Sequence, residues 1–395
     1  MTGSNRDSSA KDKTLFTPGP LTTSQTVKQA MQRDLGSREV AFIEGVRRIR
    51  QSLLDLAGVA KDEGDYEAVL MQGSGTFGLE SVIGSTVPPN GKLLVIINGA
   101  YGDRIARIAE VLKIDTVRLE YAVDVQPVAD DVDRILTEDH AITNVVVVHC
   151  ETTTGIINPI EQIGQVVKRH EKSYFVDSMS AFGAVQFDFE KCGIDFLVSS
   201  ANKCIEGVPG FSFVICRRES LRATEGWARS VSLDLLAQWQ GLEASGQFRF
   251  TPPTHVILAF EQALVELQAE GGVTGRAARY RDNYEALVAG MRGMGFSEYL
   301  RPELQGTIIT AFRYPIHPRF QFDEFYAGLN DKGFVIYPGK VSNIDCFRIG
   351  NIGHLFKPHI DALLEGIRVT LDEMEVELPC SSSSRESDLI ARGTS

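Results

Sequence analysis

The sequence predicts an α/β fold: a mostly parallel sheet between helices, with a smaller α+β region after it. Three observations carry the prediction. Six short apolar runs are mostly continuous, not alternating: Ala68–Gln72, Leu93–Ile97, Val145–His149, Tyr174–Val176, Phe196–Ser199 and Phe211–Cys216. Strands covered on both faces read that way. Several of the intervening segments are long enough for crossover helices. In the second half the pattern changes to two helical stripes, Val256, Phe260, Leu264 and Leu267, then Tyr280, Tyr284, Leu287, Val288 and Met291.

After the second stripe come three strand-like runs, around Ile308–Phe312, Phe334–Tyr337 and Phe347–Ile349. A helix near His359–Leu371 closes the chain. The change of character sets a boundary near residue 275, giving a large domain over 14–275 and a small one over 276–378. The ends, 1–13 and 379–395, are rich in serine and charge and poor in apolar residues, and are expected to be disordered.

The 395 residues suffice for a substantial core. At 43% hydrophobic and 23% charged the composition is that of a globular protein. A net charge of −12 without a Lys/Arg block argues against nucleic acid or an anionic membrane as partner. It leaves room for a small anion in a locally basic pocket. Met1–Lys13 has no apolar stretch of a secretory signal, and no apolar run approaches the length of a membrane span. Cys150, Cys192, Cys204, Cys216, Cys346 and Cys380 form no CxxC pair. Reduced thiols in the cytoplasm are the simplest reading. The seven histidines show no ligand spacing, so no metal site is expected.

Three motifs carry chemistry. Gly73-Ser74-Gly75-Thr76-Phe77-Gly78 follows the first strand and precedes a segment that can be helical. Glycines let backbone approach an anion, and a helix N-terminus offers free N–H groups. Ser74 and Thr76 add hydroxyls. The same string fits the dinucleotide fingerprint GxGxxG, and equally a tight turn without a ligand. Asp177 stands at the carboxyl end of an apolar strand, where open α/β sheets place ligands. It suits the partner of a protonated pyridine nitrogen, or a helix cap. Lys203 follows the next strand amid small residues, where desolvation makes an amine nucleophilic. Alone, it could be a solvated loop lysine. A nicotinamide-dependent dehydrogenase would use the glycine turn but has no need of the Asp177–Lys203 pair.

Further strings run in order beside these motifs: Thr17-Pro18-Gly19-Pro20-Leu21-Thr22, Asn98-Gly99-Ala100-Tyr101-Gly102, His149-Cys150-Glu151-Thr152-Thr153-Thr154-Gly155, Ser199 to Lys203, Phe250-Thr251-Pro252-Pro253-Thr254-His255, Tyr337-Pro338-Gly339-Lys340 and Cys346-Phe347-Arg348-Ile349-Gly350-Asn351. With them the chain resembles the class V aminotransferases of pyridoxal phosphate (PLP) fold type I, from about residue 14 to 375. The resemblance implies a PLP cofactor held as an imine on Lys203, with Asp177 on its ring nitrogen and its phosphate on Ser74, Gly75 and Thr76. Asn202 would help to bind it. Tyr101 would stack on the ring, and Thr152, or its neighbour Thr153, would meet the ring hydroxyl. Thr251 would reach the phosphate in the partner subunit, which implies a homodimer with shared active sites. Arg348 would grip a substrate carboxylate and Gly19 would lie beside the substrate. The segment 14–30 is expected to pack with the small domain.

Within the family the strings around Lys203 and Thr251 resemble members that transfer the amino group of 2-aminoethylphosphonate to pyruvate. Serine–pyruvate and alanine–glyoxylate transamination use nearly the same residues and stay open. A cysteine desulfurase usually carries histidine before the lysine, where this chain has Asn202. The stretch Arg33 to Glu39 departs from the family pattern, and leaves Arg38 either a ligand of an anionic substrate group or a solvated loop charge.

Overall fold

The computed structural model describes residues 12–60, 65–339 and 345–381. The chain opens with strand β1 (Thr14–Leu15) and helices α1 (Gln25–Ala30) and α2 (Val40–Leu56). Strands and helices then alternate: β2 (Tyr66–Gln72), α3 (Gly75–Thr86), β3 (Lys92–Ile97), α4 (Ala100–Val111), β4 (Asp115–Glu120), α5 (Ala129–Glu138) and β5 (Ile142–Val148). A ribbon of β6 (Cys150–Glu151) and β7 (Ile156–Ile157) leads to α6 (Ile160–Arg169), β8 (Ser173–Asp177), β9 (Phe196–Ser200) and β10 (Phe211–Arg217). Four helices follow, α7 (Arg218–Arg222), α8 (Leu235–Ser245), α9 (Thr254–Ala269) and α10 (Gly272–Gly293). The last elements are β11 (Ile309–Arg313), α11 (Phe322–Asp331), β12 (Phe334–Val335), β13 (Tyr337–Pro338), β14 (Cys346–Gly350) and α12 (Lys357–Glu373).

The predicted α/β fold is borne out. Seven strands form one sheet in the order β2-β10-β9-β8-β5-β3-β4. Only β10 runs against its neighbours; the other pairs are parallel. All six continuous apolar runs are strands of this sheet. The seventh, β4, has no such run: it is an edge strand with no fully buried residue, so its sequence needs no unbroken apolar stretch. Helix α3 lies close on β9 and β10. Gly78 permits this, because a Cβ there would stand 2.6 Å from the Ser212 hydroxyl.

A second sheet, β11-β14-β13, is antiparallel. The run Phe334–Tyr337, expected as one strand, is two. β12 pairs in parallel with β1 and β13 pairs with β14, with the buried Ile336 between them. The largest cluster of buried apolar side chains draws on residues from Val27 to Leu267. Another joins Phe16 to residues from Leu287 to Val376. Helix α10 runs unbroken through residue 275, where the sequence reading set its boundary. The opening segment is divided: Phe16 joins the second cluster, whereas Val27 on α1 joins the first.

Residues 12–13 and 379–381, expected in disordered tails, are placed. The Lys28 amine pairs with Asp12, and Lys13 donates to Asn330. Cys380 donates its amide to Met294 at 2.9 Å, and Ser381 accepts from the Ile316 amide at 2.6 Å. A local absence of apolar residues hid these long-range contacts. The remaining tail residues lie outside the described ones.

Candidate active site

Strands β2, β3, β5, β8 and β9 end at one edge of the sheet. From that edge come Gly73–Thr76, Asn98–Tyr101, His149–Thr152, Asp177 and Ala201–Lys203. They surround a cavity of about 230 Å³ lined by Ser74, Gly75, Thr76, Tyr101, Asp177 and Lys203, among others. Tertiary folding thus brings together the three motifs of the sequence.

The glycine turn is shaped by close approach. Gly73 has φ +100°, and a Cβ there would meet the Phe77 ring at 2.5 Å. A Cβ on Gly75 would lie 2.6 Å from the Met179 sulfur. Ser74 is the N-cap of α3, yet its side chain caps no amide. Among the described residues no acceptor meets the Gly75 and Thr76 amides. Unsatisfied donors at the positive end of a helix dipole are suited to an anion.

Asp177 ends β8 and is 2% exposed. Its Oδ1 accepts from the Met179 amide at 3.0 Å, and no other donor among the described residues meets the carboxylate. Burial pushes this carboxyl up to about 7, and the nearby Glu151 adds to the rise. A buried acid with one free oxygen on a cavity is a receptor for a positively charged donor. Lys203, in the loop after β9, donates from Nζ to the Pro18 carbonyl at 2.5 Å. Burial lowers the pKa of its amine, against the pull of Tyr101, Cys204 and Asp177. Gly19 is required here. Its φ is +123°, and a Cβ would come within 2.8 Å of the lysine Nζ.

The lysine loop is anchored from outside. Glu206 has φ +67°, rare for a side-chain-bearing residue, and its amide donates to the Lys203 carbonyl at 2.7 Å. Its buried carboxylate accepts from the Tyr280 hydroxyl at 2.6 Å and Arg279 at 2.7 Å. Arg276 approaches it at 3.3 Å and also donates to the Cys204 carbonyl. All three anchors lie on α10.

Opposite the turn, α4 begins at Ala100. Fully buried Glu151 takes the place of an N-cap: its Oε2 accepts from the Tyr101 and Gly102 amides at 3.1 and 3.2 Å. Burial raises its pKa, opposed by these hydrogen bonds. Gly99 leaves room for it, since a Cβ would sit 2.3 Å from the Glu151 Cγ. The triple threonine is sorted by the same contacts. Thr153 donates its hydroxyl to Glu151 at 2.6 Å and accepts from the Ala100 amide at 2.9 Å. Thr152 lines the cavity, and Thr153 does not. Of the two threonines weighed for the ring hydroxyl, Thr152 is therefore the one at the cavity, and the Thr153 hydroxyl is engaged behind it. Arg348, on β14, is 2% exposed and donates from Nη1 to the Thr152 carbonyl at 2.8 Å and from Nε to Pro338 at 3.0 Å. Burial lowers its pKa, countered by the adjoining Tyr101 hydroxyl.

The model of the family described as aminotransferase class-V matches residues 22–337. The chain belongs to this family. It is 50% identical over 355 residues to the 2-aminoethylphosphonate–pyruvate transaminase of Klebsiella pneumoniae, covering 89% of this chain and 96% of that one. It is 49% identical to the transaminase of the same name from Vibrio cholerae, over 90% and 96% of the two chains. The crystal structure of ureidoglycine–glyoxylate aminotransferase from Bacillus subtilis superposes with a TM-score of 0.86 at 21% identity, covering 94% and 96%. At that identity the likeness establishes the fold.

The other expected residues of this class V chain divide. Gly19 and Asn202 line the cavity. Thr251 is exposed, next to a Phe250 that is 47% exposed, and does not line it. Arg38 is exposed on the turn before α2, and likewise does not line it. Lys340 lies outside the described residues. Sequence reasoning missed Arg104, Met179 and Glu151. For Arg104 a signal existed: it follows Tyr101 by three residues on a helix, and so shares its face. Among the described residues no group of three or more His, Cys, Asp or Glu could hold a metal ion, and no helix is long and apolar enough to cross a membrane.

Proposed function

We propose that this chain uses PLP to transfer the amino group of 2-aminoethylphosphonate to pyruvate, giving phosphonoacetaldehyde and alanine. The observation that carries the reading is buried Asp177 and part-buried Lys203 on one cavity with the unsatisfied Gly75 and Thr76 amides. The relatives of that name at 49–50% identity support the choice of substrates.

The residues fit PLP. The free oxygen of Asp177 suits a protonated ring nitrogen, the α3 turn suits a phosphate, and Lys203 is the amine that an aldehyde requires. When bound, PLP supplies an electron sink for the carbon that carries the amino group. Lys203 Nζ removes the proton from that carbon of the amine donor, and in the return half delivers one to the α-carbon of alanine. Its lowered pKa supplies neutral amine for this task. Asp177 holds a proton at the ring nitrogen. Tyr101 would cover the ring, and Arg348 would meet the pyruvate carboxylate with the N–H groups left beyond its two backbone carbonyls and the Tyr101 hydroxyl. The donor has a phosphonate instead of a carboxylate, so this pocket accepts both anions in turn. Exposed Thr251 suits contact with the cofactor phosphate of a second subunit in a homodimer. All six cysteines are free, which suits the cytoplasm.

The test is the visible spectrum of the PLP-loaded protein, with 2-aminoethylphosphonate and no keto acid. The cofactor band should fall, and pyruvate should restore it. If that amine leaves the band unchanged while alanine or serine bleaches it, the named donor is wrong.

A further inference from the structure

Three charged side chains line the cavity: Asp177, Lys203 and Arg104. The first two have roles in the proposed chemistry. Arg104 has none, and its surroundings are unusual for an arginine. It is half-buried and forms no ion pair with a carboxylate among the described residues. The adjacent acid, Asp103, is engaged by Arg118 at 2.6 Å. Arg104 Nη1 donates to the Thr76 hydroxyl at 3.4 Å, a long bond, and its guanidinium lies 4.9 Å from the Tyr101 ring centroid. Helix α4 thus extends a cation toward the turn whose Gly75 and Thr76 amides have no acceptor.

We propose that Arg104 is the permanent positive charge for a phosphoryl anion seated on the Ser74–Thr76 turn. The inference rests on the anion and cofactor reading above. A phosphate monoester carries about −1.5 to −2 charges near pH 7. The end of a helix offers the equivalent of roughly +0.5. Lys203 is committed to the cofactor aldehyde, which leaves Arg104 as the cavity's remaining cation. A buried anion without a counter-charge is strongly disfavoured. On the reading above, the phosphoryl group on this turn is the cofactor's phosphate. The contact with Thr76 ties the guanidinium to the anion that occupies the turn.

The experiment compares wild-type apoprotein with Arg104→Gln and Arg104→Lys. Dissociation constants are measured by equilibrium dialysis for PLP and for pyridoxal, which lacks the phosphate. Loss of one charge-assisted contact should weaken PLP about 10- to 100-fold in Arg104→Gln, with partial recovery in Arg104→Lys and no change for pyridoxal. That outcome assigns the cofactor phosphate. If PLP and pyridoxal are both unaffected, the loaded variant is titrated with 2-aminoethylphosphonate and with alanine. A selective weakening of the phosphonate overturns the proposal, because Arg104 then meets the substrate away from the turn that the cofactor phosphate fills. Equal weakening of PLP and pyridoxal overturns the proposal, because Arg104 then acts only by supporting the Tyr101 ring. No change for any ligand overturns it too. A wild-type apoprotein that binds neither PLP nor pyridoxal sinks the cofactor reading instead. The anion inference then requires that inorganic phosphate bind and that Arg104→Gln abolish this.

Discussion

Replacing Asp177 with asparagine exposes the electrostatic cost of holding the site ready. Burial raises this carboxyl to about 7 in the folded apoprotein. In an unfolded chain an aspartate titrates near 3.9. Between about pH 4 and 7, then, the folded state keeps a proton that the unfolded state has released. Below that window both states are protonated and the group costs nothing. Above it the folded apoprotein must carry a desolvated charge, so stability falls as pH rises through the window. A displacement of about three pH units is worth at most about 4 kcal/mol. Asparagine titrates nowhere, and its oxygen can still accept from the Met179 amide, now at 3.0 Å. Its amino group has no protein acceptor in place and returns about 1–3 kcal/mol of the gain. Apo Asp177→Asn should therefore be more stable than apo wild type by about 1–3 kcal/mol at pH 8, with the gain gone by about pH 5–6 and a loss of about 1–3 kcal/mol at about pH 4. Thermal melts of the two apoproteins across this range measure it, as a rise of a few degrees in Tm at the alkaline end. A difference in Tm that does not change with pH would refute the reasoning.

Two further predictions concern the lysine loop. Gly19→Ala forces a Cβ within 2.8 Å of Lys203 Nζ at a φ of +123°, which is costly for alanine. The strain should cost about 1–3 kcal/mol of stability in urea titration, and kcat should fall at least tenfold because the amine is displaced. Wild-type kcat in this variant would mean that the loop yields freely. Glu206→Ala removes the buried acceptor of Tyr280 and Arg279, and should destabilise the protein by about 3–5 kcal/mol in the same titration. A loss below about 1 kcal/mol would show that Glu270 alone neutralises the two arginines.

Much of the fold was legible because buried parallel strands leave a strong local mark. Val145–Val148 is apolar without interruption, and Phe211–Cys216 is broken only by the buried Ser212, since both faces are covered. β4 left no such mark, because an edge strand is held by one neighbour and its side chains remain in contact with solvent. The break between β12 and β13 was also hidden. Both halves favour extended backbone, and only pairing with two different partners separates them. The same holds at the cavity. Ser74–Thr76, Asp177 and Lys203 each stand just past an apolar strand, so spacing alone placed them at a sheet edge. Arg104 stands within a helix that reads as an ordinary amphipathic surface element. Its direction depends on the packing of α4 against β3.

By itself, the sequence determined the alternation of buried strands and helices, and which acid and which lysine follow those strands. Short-range spacing encodes such features, because backbone geometry converts it directly into position. Only the tertiary structure decided that Thr152 faces the cavity and Thr153 does not. That choice depends on Glu151 filling the space that Gly99 leaves, 52 positions away along the chain, and on the amides at the start of α4 that it satisfies. Contacts between distant segments are set by the shape of the packed molecule, and three adjacent threonines carry no local sign of them.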